Sequence, residues 1–229
     1  GPVNLVRLTQ LIDLVNRPDL CFPPYKASFP VQMASGQSIF ERLKQGDILI
    51  HQPFESFDGV LAFLRESVND PDVLAIKQTI YRTGPDSELM DLLREAVRRG
   101  KEVTVVVELK ARCDEEANIN WAEMLESIGA QVLYGVVGLK THAKMMLVTR
   151  REGKSLRRYG HLSTGNYNPR TARLYTDVSH ITADTALTSD MDHVFVQLAS
   201  QSRLPKLRKL WFAPFFLHRN LITKIDALA

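Results

Sequence analysis

The segment VLAIKQTIYRTGPDSELMDLLREAVRRGKEVTVVVEL, residues 73–109, decides the fold. Its first eight and last seven residues are short runs rich in β-branched side chains, which are typical of buried strands. The stretch between them carries apolar residues at helical spacing: Leu89, Leu92, Leu93, Ala96 and Val97. We expect this helix to end at Gly100. A strand, a helix and a second strand in this order predict an α/β fold with parallel pairing.

The same alternation continues after residue 109. The stretch EEANINWAEMLESI (115–128) predicts a second helix that ends at Gly129, and QVLYGVV (131–137) predicts a strand. The helix is expected to bury five residues: Ala117, Trp121, Met124, Leu125 and Ile128. A basic hairpin (149–160), two further strands through HLSTGN and near TDVSHIT, and a helix from about Asp184 complete the predicted unit.

The flanking segments have a different character. VNLVRLTQLIDLV (3–15) predicts a helix, and the proline-containing stretch 16–30 predicts an extended linker. Ser38 and Glu41 form a candidate capping box for a short helix, and DILIHQP (47–53) reads as a strand. The tail from residue 206 begins with a strand-like run and ends in a predicted helix.

Composition limits the class of protein. The chain has 229 residues, 45% of them hydrophobic and 24% charged, which favours a globular protein without long disordered regions. The net charge of +3 is too small to indicate nucleic-acid binding, so we expect no nucleic-acid partner and only a local anion site. The two cysteines lack metal-ligand spacing, and no apolar run is long enough for a membrane helix.

The first candidate site is GLKTHAKMMLV, residues 138–148. Side chains alternate along a strand, so Lys140, His142 and Lys144 are expected on one face, opposite Met145 and Leu147. Two neighbouring ammonium groups are expected to lower the pKa of His142, which keeps its imidazole neutral and nucleophilic. The same two cations would attract an anion.

Two arginines recur at the same interval. Arg82 and Arg112 follow the two predicted strands of the opening segment, and the steps from 82 to 112 and from 112 to 142 are both 30 residues. A repeated strand and helix returns the chain to the same sheet edge, where ligands bind in open α/β sheets. Two guanidinium groups at that edge would fit a phosphate. Each arginine alone would read as a surface residue.

The turn STGNYN, Ser163 to Asn168, adds small residues that allow backbone N–H groups to approach a phosphate. Together, His142, Lys144 and this turn resemble the half-site of the phospholipase D superfamily. One position differs, because Thr149 stands where that superfamily has an aspartate. The difference argues against a phosphodiesterase more than against a kinase.

Longer blocks resemble bacterial polyphosphate kinase: AIKQTIYRTG, ELKARCDEEANINWA, GVVGLKTHAKMMLV and RRYGHLSTGNYNPRTARLYTD. The resemblance extends from about Asp47 to Asp184. It implies a phospholipase D-like mixed sheet flanked by helices, with one half-site domain and the start of a second. We therefore expect the end of a preceding domain and a linker in 1–28, with Gly1 and Pro2 as a tag remnant. The catalytic domain would occupy 29–205, and 206–229 would begin a second, truncated domain.

The resemblance also implies roles for individual residues. His142 would take the terminal phosphate of ATP and pass it, reversibly, to polyphosphate, while Lys144 and Asn166 would stabilise and orient the transferred group. Arg82 and Arg112 would hold the nucleotide's phosphates beside Mg²⁺, without ligating the metal themselves. Tyr175 would contact the nucleotide; the alternative for this residue is a half-buried strand aromatic.

The implied partners are ATP, ADP, polyphosphate, the remaining domains of a longer chain, and further copies of that chain. We expect a fragment that lacks the second histidine half-site, in a cytoplasmic protein for which peripheral contact with the inner membrane is left open. Two other hypotheses remain. One is a single-motif phosphodiesterase or nuclease that dimerises. The other is a non-catalytic polyanion-binding module that uses the basic hairpin: Arg150, Arg151, Lys154, Arg157 and Arg158. These five residues would otherwise form a solvated hairpin.

Overall fold

The computed structural model describes residues 4–81, 87–108, 115–136, 138–200 and 205–229. Within these ranges one mixed sheet has seven strands in the order β1-β7-β6-β5-β2-β3-β4. The strands are β1 (Ile48–Gln52), β2 (Val73–Ile80), β3 (Glu102–Val107), β4 (Gln131–Leu133), β5 (Lys144–Glu152), β6 (Ser155–Ser163) and β7 (Asp177–Thr182).

Helices flank this sheet and extend beyond it at both ends of the chain. Their bounds are α1 (Thr9–Val15), α2 (Ile39–Gln45), α3 (Asp58–Asn69), α4 (Glu88–Arg98), α5 (Glu115–Ser127), α6 (Thr185–Ser200) and α7 (Leu217–Asp226). The α/β class that the sequence pattern predicts and the mixed sheet that the family resemblance implies are both confirmed.

The parallel half of the sheet agrees closely with the prediction from residues 73–109. Strand β2 has the predicted bounds, and β2, β3 and β4 pair in parallel. Helix α4 ends before Gly100, whose φ of +79° suits a residue without a side chain. Of the predicted inner face of α4, Leu89, Leu93 and Ala96 are buried. In α5, Leu125 is buried, whereas the side chain of Ala117 lies outside the described part.

The other half of the sheet is antiparallel. The predicted basic hairpin is formed by β5 and β6, with Arg150 opposite Arg157. Its second arm and the strand expected through HLSTGN are one continuous strand, β6, which runs to Ser163. Strand β7 then pairs with both β6 and β1, so the first strand of the chain forms the edge of this half of the sheet.

The two faces of the sheet pack on different helices, as the alternation along β5 requires. Met146 and Val148 join the larger core cluster with α2, α3 and α4. Met145 and Leu147 join the smaller cluster with α6. This confirms that Met145 and Leu147 point to one side of the strand.

Two local predictions are wrong, for the same physical reason. Ser38 precedes α2 but makes no side-chain bond to that helix; instead, Glu66 on α3 accepts bonds from Ser38 Oγ at 2.5 Å and from Ile39 N–H at 2.9 Å. The expected strand after residue 206 is absent from the described segment 205–216, where backbone N–H groups bind Asp190 of α6. In both cases, backbone N–H groups bind a carboxylate that is distant in sequence, where the local pattern predicted another partner.

Candidate functional site

The strand register brings five chain segments to one edge of the sheet. Ile80 and Val107 are paired at the carboxyl ends of β2 and β3. Lys144, at the start of β5, is paired with Ser163, at the end of β6, and β7 begins beside them. Both the His142 loop and the STGN turn therefore lie at the sheet edge where β2 and β3 end. This is the edge at which the sequence analysis expected His142.

His142 lies in the loop just before β5, not in the strand itself, and its side chain is exposed. Its ring meets the ring of Tyr81, with centroids 4.9 Å apart and an angle of 83° between the planes. Tyr81 directly follows β2 and is only 5% exposed, so it offers the imidazole a fixed aromatic surface.

The two lysines beside His142 gather on the same tyrosine. Lys144 Nζ lies 4.7 Å from the centre of the Tyr81 ring and Lys140 Nζ lies 5.4 Å from it. Lys144 is buried, and its ammonium group donates to the carbonyl of His142 at 2.5 Å. The structure thus places two cations and one imidazole around one ring, an arrangement suited to an anionic ligand.

Glu108 fixes the chain just before His142. It follows β3, is 5% exposed, and its Oε2 accepts a hydrogen bond from Thr141 N–H at 2.7 Å. Sequence reasoning missed both Glu108 and Tyr81. A signal for Glu108 was available, since a carboxylate inside the apolar run VTVVVEL requires a partner when it is buried.

The STGN turn is anchored to β7. Thr164 Oγ1 donates to Asp177 Oδ1 at 2.8 Å and accepts from Val178 N–H at 3.0 Å. Glycine at residue 165 allows a close approach to β7, because an added Cβ would lie 2.4 Å from Asp177 Oδ2 and would force that side chain to move. In Asn166 the side-chain oxygen is buried and has no hydrogen-bond partner among the described residues.

Of the three other predicted site residues, the structure describes Tyr175 alone. Arg82 and Arg112 lie outside the described residues. Tyr175 is described and is 63% exposed in the loop before β7, so it is not the half-buried strand aromatic that was the alternative.

A buried pair of residues flanks the STGN turn in sequence. His161 Nδ1 and the Tyr167 hydroxyl share a hydrogen bond of 2.6 Å, and both residues are almost fully buried. Burial, with a smaller contribution from His180, lowers the pKa of His161 to about 3. His161 is therefore neutral at physiological pH, and its bond to Tyr167 fixes the residue next to Asn166.

The basic hairpin is largely neutralised by acids. Arg150 binds Asp70 at 2.9 Å, and Arg158 binds Asp192 at 2.9 Å. Arg150 also stacks on Phe40, at 5.2 Å from the ring centre. Arg151 lies 3.8 Å from Asp72, and Arg157 lies 5.7 Å from the centre of the Tyr159 ring. Four of the five hairpin cations thus have structural contacts, which removes much of the support for a polyanion path over the hairpin.

The described residues contain neither a candidate metal site nor a candidate membrane helix. Within the described ranges, no three side chains among His, Cys, Asp and Glu form a group that could hold a metal ion. In the same part of the chain, no helix combines the length and the apolar character needed to cross a bilayer.

Comparison with curated proteins gives close relatives. The chain is 59% identical to a polyphosphate kinase of Burkholderia cenocepacia over 231 aligned positions, which cover 99% of the chain and 34% of that relative. It is 58% identical to a polyphosphate kinase of Paraburkholderia phytofirmans, covering 100% of the chain and 34% of the relative. The chain spans about a third of the length of these relatives.

Comparison with solved structures gives the same family. A crystal structure of polyphosphate kinase from Porphyromonas gingivalis matches with a TM-score of 0.82 and 31% identity, covering 98% of the chain and 37% of that structure. A phospholipase D family member, Nuc from Salmonella typhimurium, matches with a TM-score of 0.53, 15% identity and coverage of 70% and 98%, and shares the fold.

The family assignment follows from the extent of the match. The sequence model described as "Polyphosphate kinase C-terminal domain 1" matches residues 38–204, which is well over half of the chain. The chain therefore belongs to the polyphosphate kinase family and contains its C-terminal domain 1.

Proposed function

We propose that this chain is an internal part of a polyphosphate kinase and that His142 carries phosphate between ATP and polyphosphate. The observation that carries the proposal is the arrangement of His142, Lys140 and Lys144 around Tyr81 at the strand edge. An exposed imidazole beside two ammonium groups suits attack on an anionic phosphate.

Transfer would proceed in two balanced steps. A ring nitrogen of neutral His142 attacks the γ-phosphorus of ATP; the P–N bond forms as the bond to the β-phosphate oxygen breaks, and ADP leaves with the electron pair. A terminal oxygen of polyphosphate then attacks the same phosphorus, and the P–N electron pair returns to the imidazole. Both steps are reversible, and the acceptor grows by one phosphate.

The other predicted residues act on the charge of the transferred group. Lys144 is held close to His142, so its ammonium group can stabilise negative charge on the phosphoryl oxygens. Asn166 would orient the group by donating from its side-chain NH2 to a phosphoryl oxygen. Arg82 and Arg112 would clamp the nucleotide's phosphates, and Tyr175 would contact the nucleotide from an exposed loop.

Mg²⁺ is proposed as part of the substrate, Mg–ATP. The described residues do not form a metal cage, so the ion would be held mainly by phosphate oxygens. Bound there, it would neutralise charge that develops between the β- and γ-phosphates.

The remaining parts of the proposal concern the longer protein. A second histidine half-site, further copies of the chain and a cytoplasmic location are proposed from the family resemblance. The boundaries at residues 28 and 205 stay predictions. The segment after 205 already packs on α6, since Asp190 Oδ2 accepts N–H bonds from Arg208 and Lys209 at 2.8 and 2.6 Å.

The direct test is labelling of the full-length kinase with γ-labelled ATP and Mg²⁺. We expect acid-labile, base-stable label on the peptide that contains His142, and none in His142→Ala. His193→Ala is the matched control, because His193 is an exposed histidine on α6. It should label at the wild-type level. Label on another residue, or undiminished label in His142→Ala, would overturn the proposal.

A further inference from the structure

We propose that Glu108 is a positioning residue for the phosphate-accepting histidine. It would hold the backbone of the His142 loop at a fixed distance from the ends of β2 and β3. The inference rests on the proposed function of His142 and adds to it a residue that does not itself touch the substrate.

The loop before β5 lacks regular backbone pairing, so it needs another support. Residues 139–143 form no helix or strand, and His142 itself is exposed. Glu108 Oε2 accepts the N–H of Thr141, the residue directly before His142, at 2.7 Å. A hydrogen bond to a charged acceptor is shorter and about twice as strong as a neutral one.

The carboxylate is held by the strand edge. Glu108 N–H donates to the carbonyl of Ile80 at 3.1 Å, which ties the end of β3 to the end of β2. Tyr81, the next residue after Ile80, is the ring that His142 contacts. One residue thus links the His142 backbone, through Thr141, to the strand end that carries the aromatic support of the imidazole.

The opposite side of the loop is fixed independently. Lys144 donates to the carbonyl of His142, so the chain is bound both just before and just at the histidine. Gly135 allows the close approach that this arrangement needs: its φ is +53°, and an added Cβ would lie 3.2 Å from Thr141 Oγ1. Removing Glu108 would release the first of these two attachments and leave the second.

Displacement of the nucleophile should lower the rate of phosphate transfer more than it lowers the affinity for the substrate. A shift of about 1 Å in a reacting group can cost about 100-fold in rate. We therefore expect Glu108→Ala to lower the maximum rate of His142 phosphorylation about 10- to 100-fold. The ATP concentration for half-maximal rate should change less than about twofold, because the proposed role of Glu108 acts on the His142 loop and not on ATP.

The conservative variant separates positioning from charge. In Glu108→Gln the amide oxygen can still accept the Thr141 N–H, so we expect at least about a third of the wild-type rate. In Glu108→Asp the acceptor is one methylene shorter, so the rate should fall toward that of Glu108→Ala although the charge is kept. Hydrogen exchange of the peptide 138–144 should accelerate in the alanine and aspartate variants and stay slow in the glutamine variant.

The experiment uses single-turnover labelling of the full-length kinase. Glu102→Gln is the matched control, since Glu102 is an exposed glutamate at the other end of β3. It should behave as wild type. If Glu108→Ala does not fold, the comparison of the glutamine and aspartate variants still decides the matter.

Two outcomes would overturn the inference: a wild-type rate in Glu108→Ala or Glu108→Asp, or a glutamine variant as slow as the alanine variant. Failure of the proposed function would look different. In that case His142→Ala would still be labelled, whatever the Glu108 variants do.

Discussion

At the scale of single residues, His142 depends on two neighbours that are far away in sequence and on one that is close. Tyr81 contacts its ring, Glu108 binds the residue before it, and Lys144 binds its carbonyl. The alternation of Lys140, His142 and Lys144 predicted a shared strand face, but in the structure only Lys144 lies in a strand. Lys140 and His142 contact the same Tyr81 ring from the loop before it. The spacing could not identify Tyr81 or Glu108, since local alternation carries no information about which strand ends lie next to the loop.

A buried neutral histidine makes the protein sensitive to acid. The pKa of His161 is about 3 in the folded protein and near 6.5 when unfolded. Between these values the unfolded chain binds a proton that the folded protein does not, so stability is full above about pH 6.5 and falls as pH decreases. Relative to His161→Gln, we expect the wild type to lose about 2 kcal/mol of unfolding free energy between pH 6.5 and 4.5.

Urea unfolding at several pH values measures this difference. Glutamine at residue 161 can still bond to the Tyr167 hydroxyl but cannot titrate in this range. His193→Gln, on the exposed surface of α6, is the control and should follow the wild type. A pH-independent difference between wild type and His161→Gln would show that His161 does not stay neutral.

At the scale of elements, the structure shows where local patterns suffice and where they fail. Strand β2 has its predicted bounds, and α4 stops before Gly100, because both signals are contained in neighbouring residues. The start of α2 depends instead on Glu66, which is 28 residues from Ser38 and belongs to a helix that the sequence analysis did not predict. A capping partner on another helix leaves no mark in the local sequence.

This difference predicts which glutamate stabilises α2. Glu66→Ala removes the acceptor for Ser38 Oγ and Ile39 N–H, so we expect a loss of ~2 kcal/mol of unfolding free energy. Glu41 instead pairs with Lys44 on the surface, and Glu41→Ala should change stability by less than about 0.5 kcal/mol. Urea unfolding of both variants measures which substitution destabilises the protein more. A larger loss of stability in Glu41→Ala would support the capping box and contradict this prediction.

At the scale of the whole molecule, the distribution of charge matters more than the net value of +3. The hairpin turn follows Glu152, which is eight residues along β5 from Lys144, or about 26 Å for a strand. There, Arg150 and Arg158 are already paired with acids. At the near end, Lys140 and Lys144 lie against the Tyr81 ring that His142 also contacts. A polyphosphate chain should therefore be attracted to the His142 edge.

Lys140 and Lys154 are both exposed, so replacing each with glutamine removes one positive charge at either end of β5 and tests this prediction. Lys140→Gln should weaken binding of labelled polyphosphate to the full-length kinase about two- to fivefold at low salt, and less at high salt, as one screened charge contact would. Lys154→Gln, at the hairpin turn, should leave the affinity unchanged. If Lys154→Gln had the larger effect, the polyanion would follow the hairpin, and its cations would serve binding despite their acidic partners.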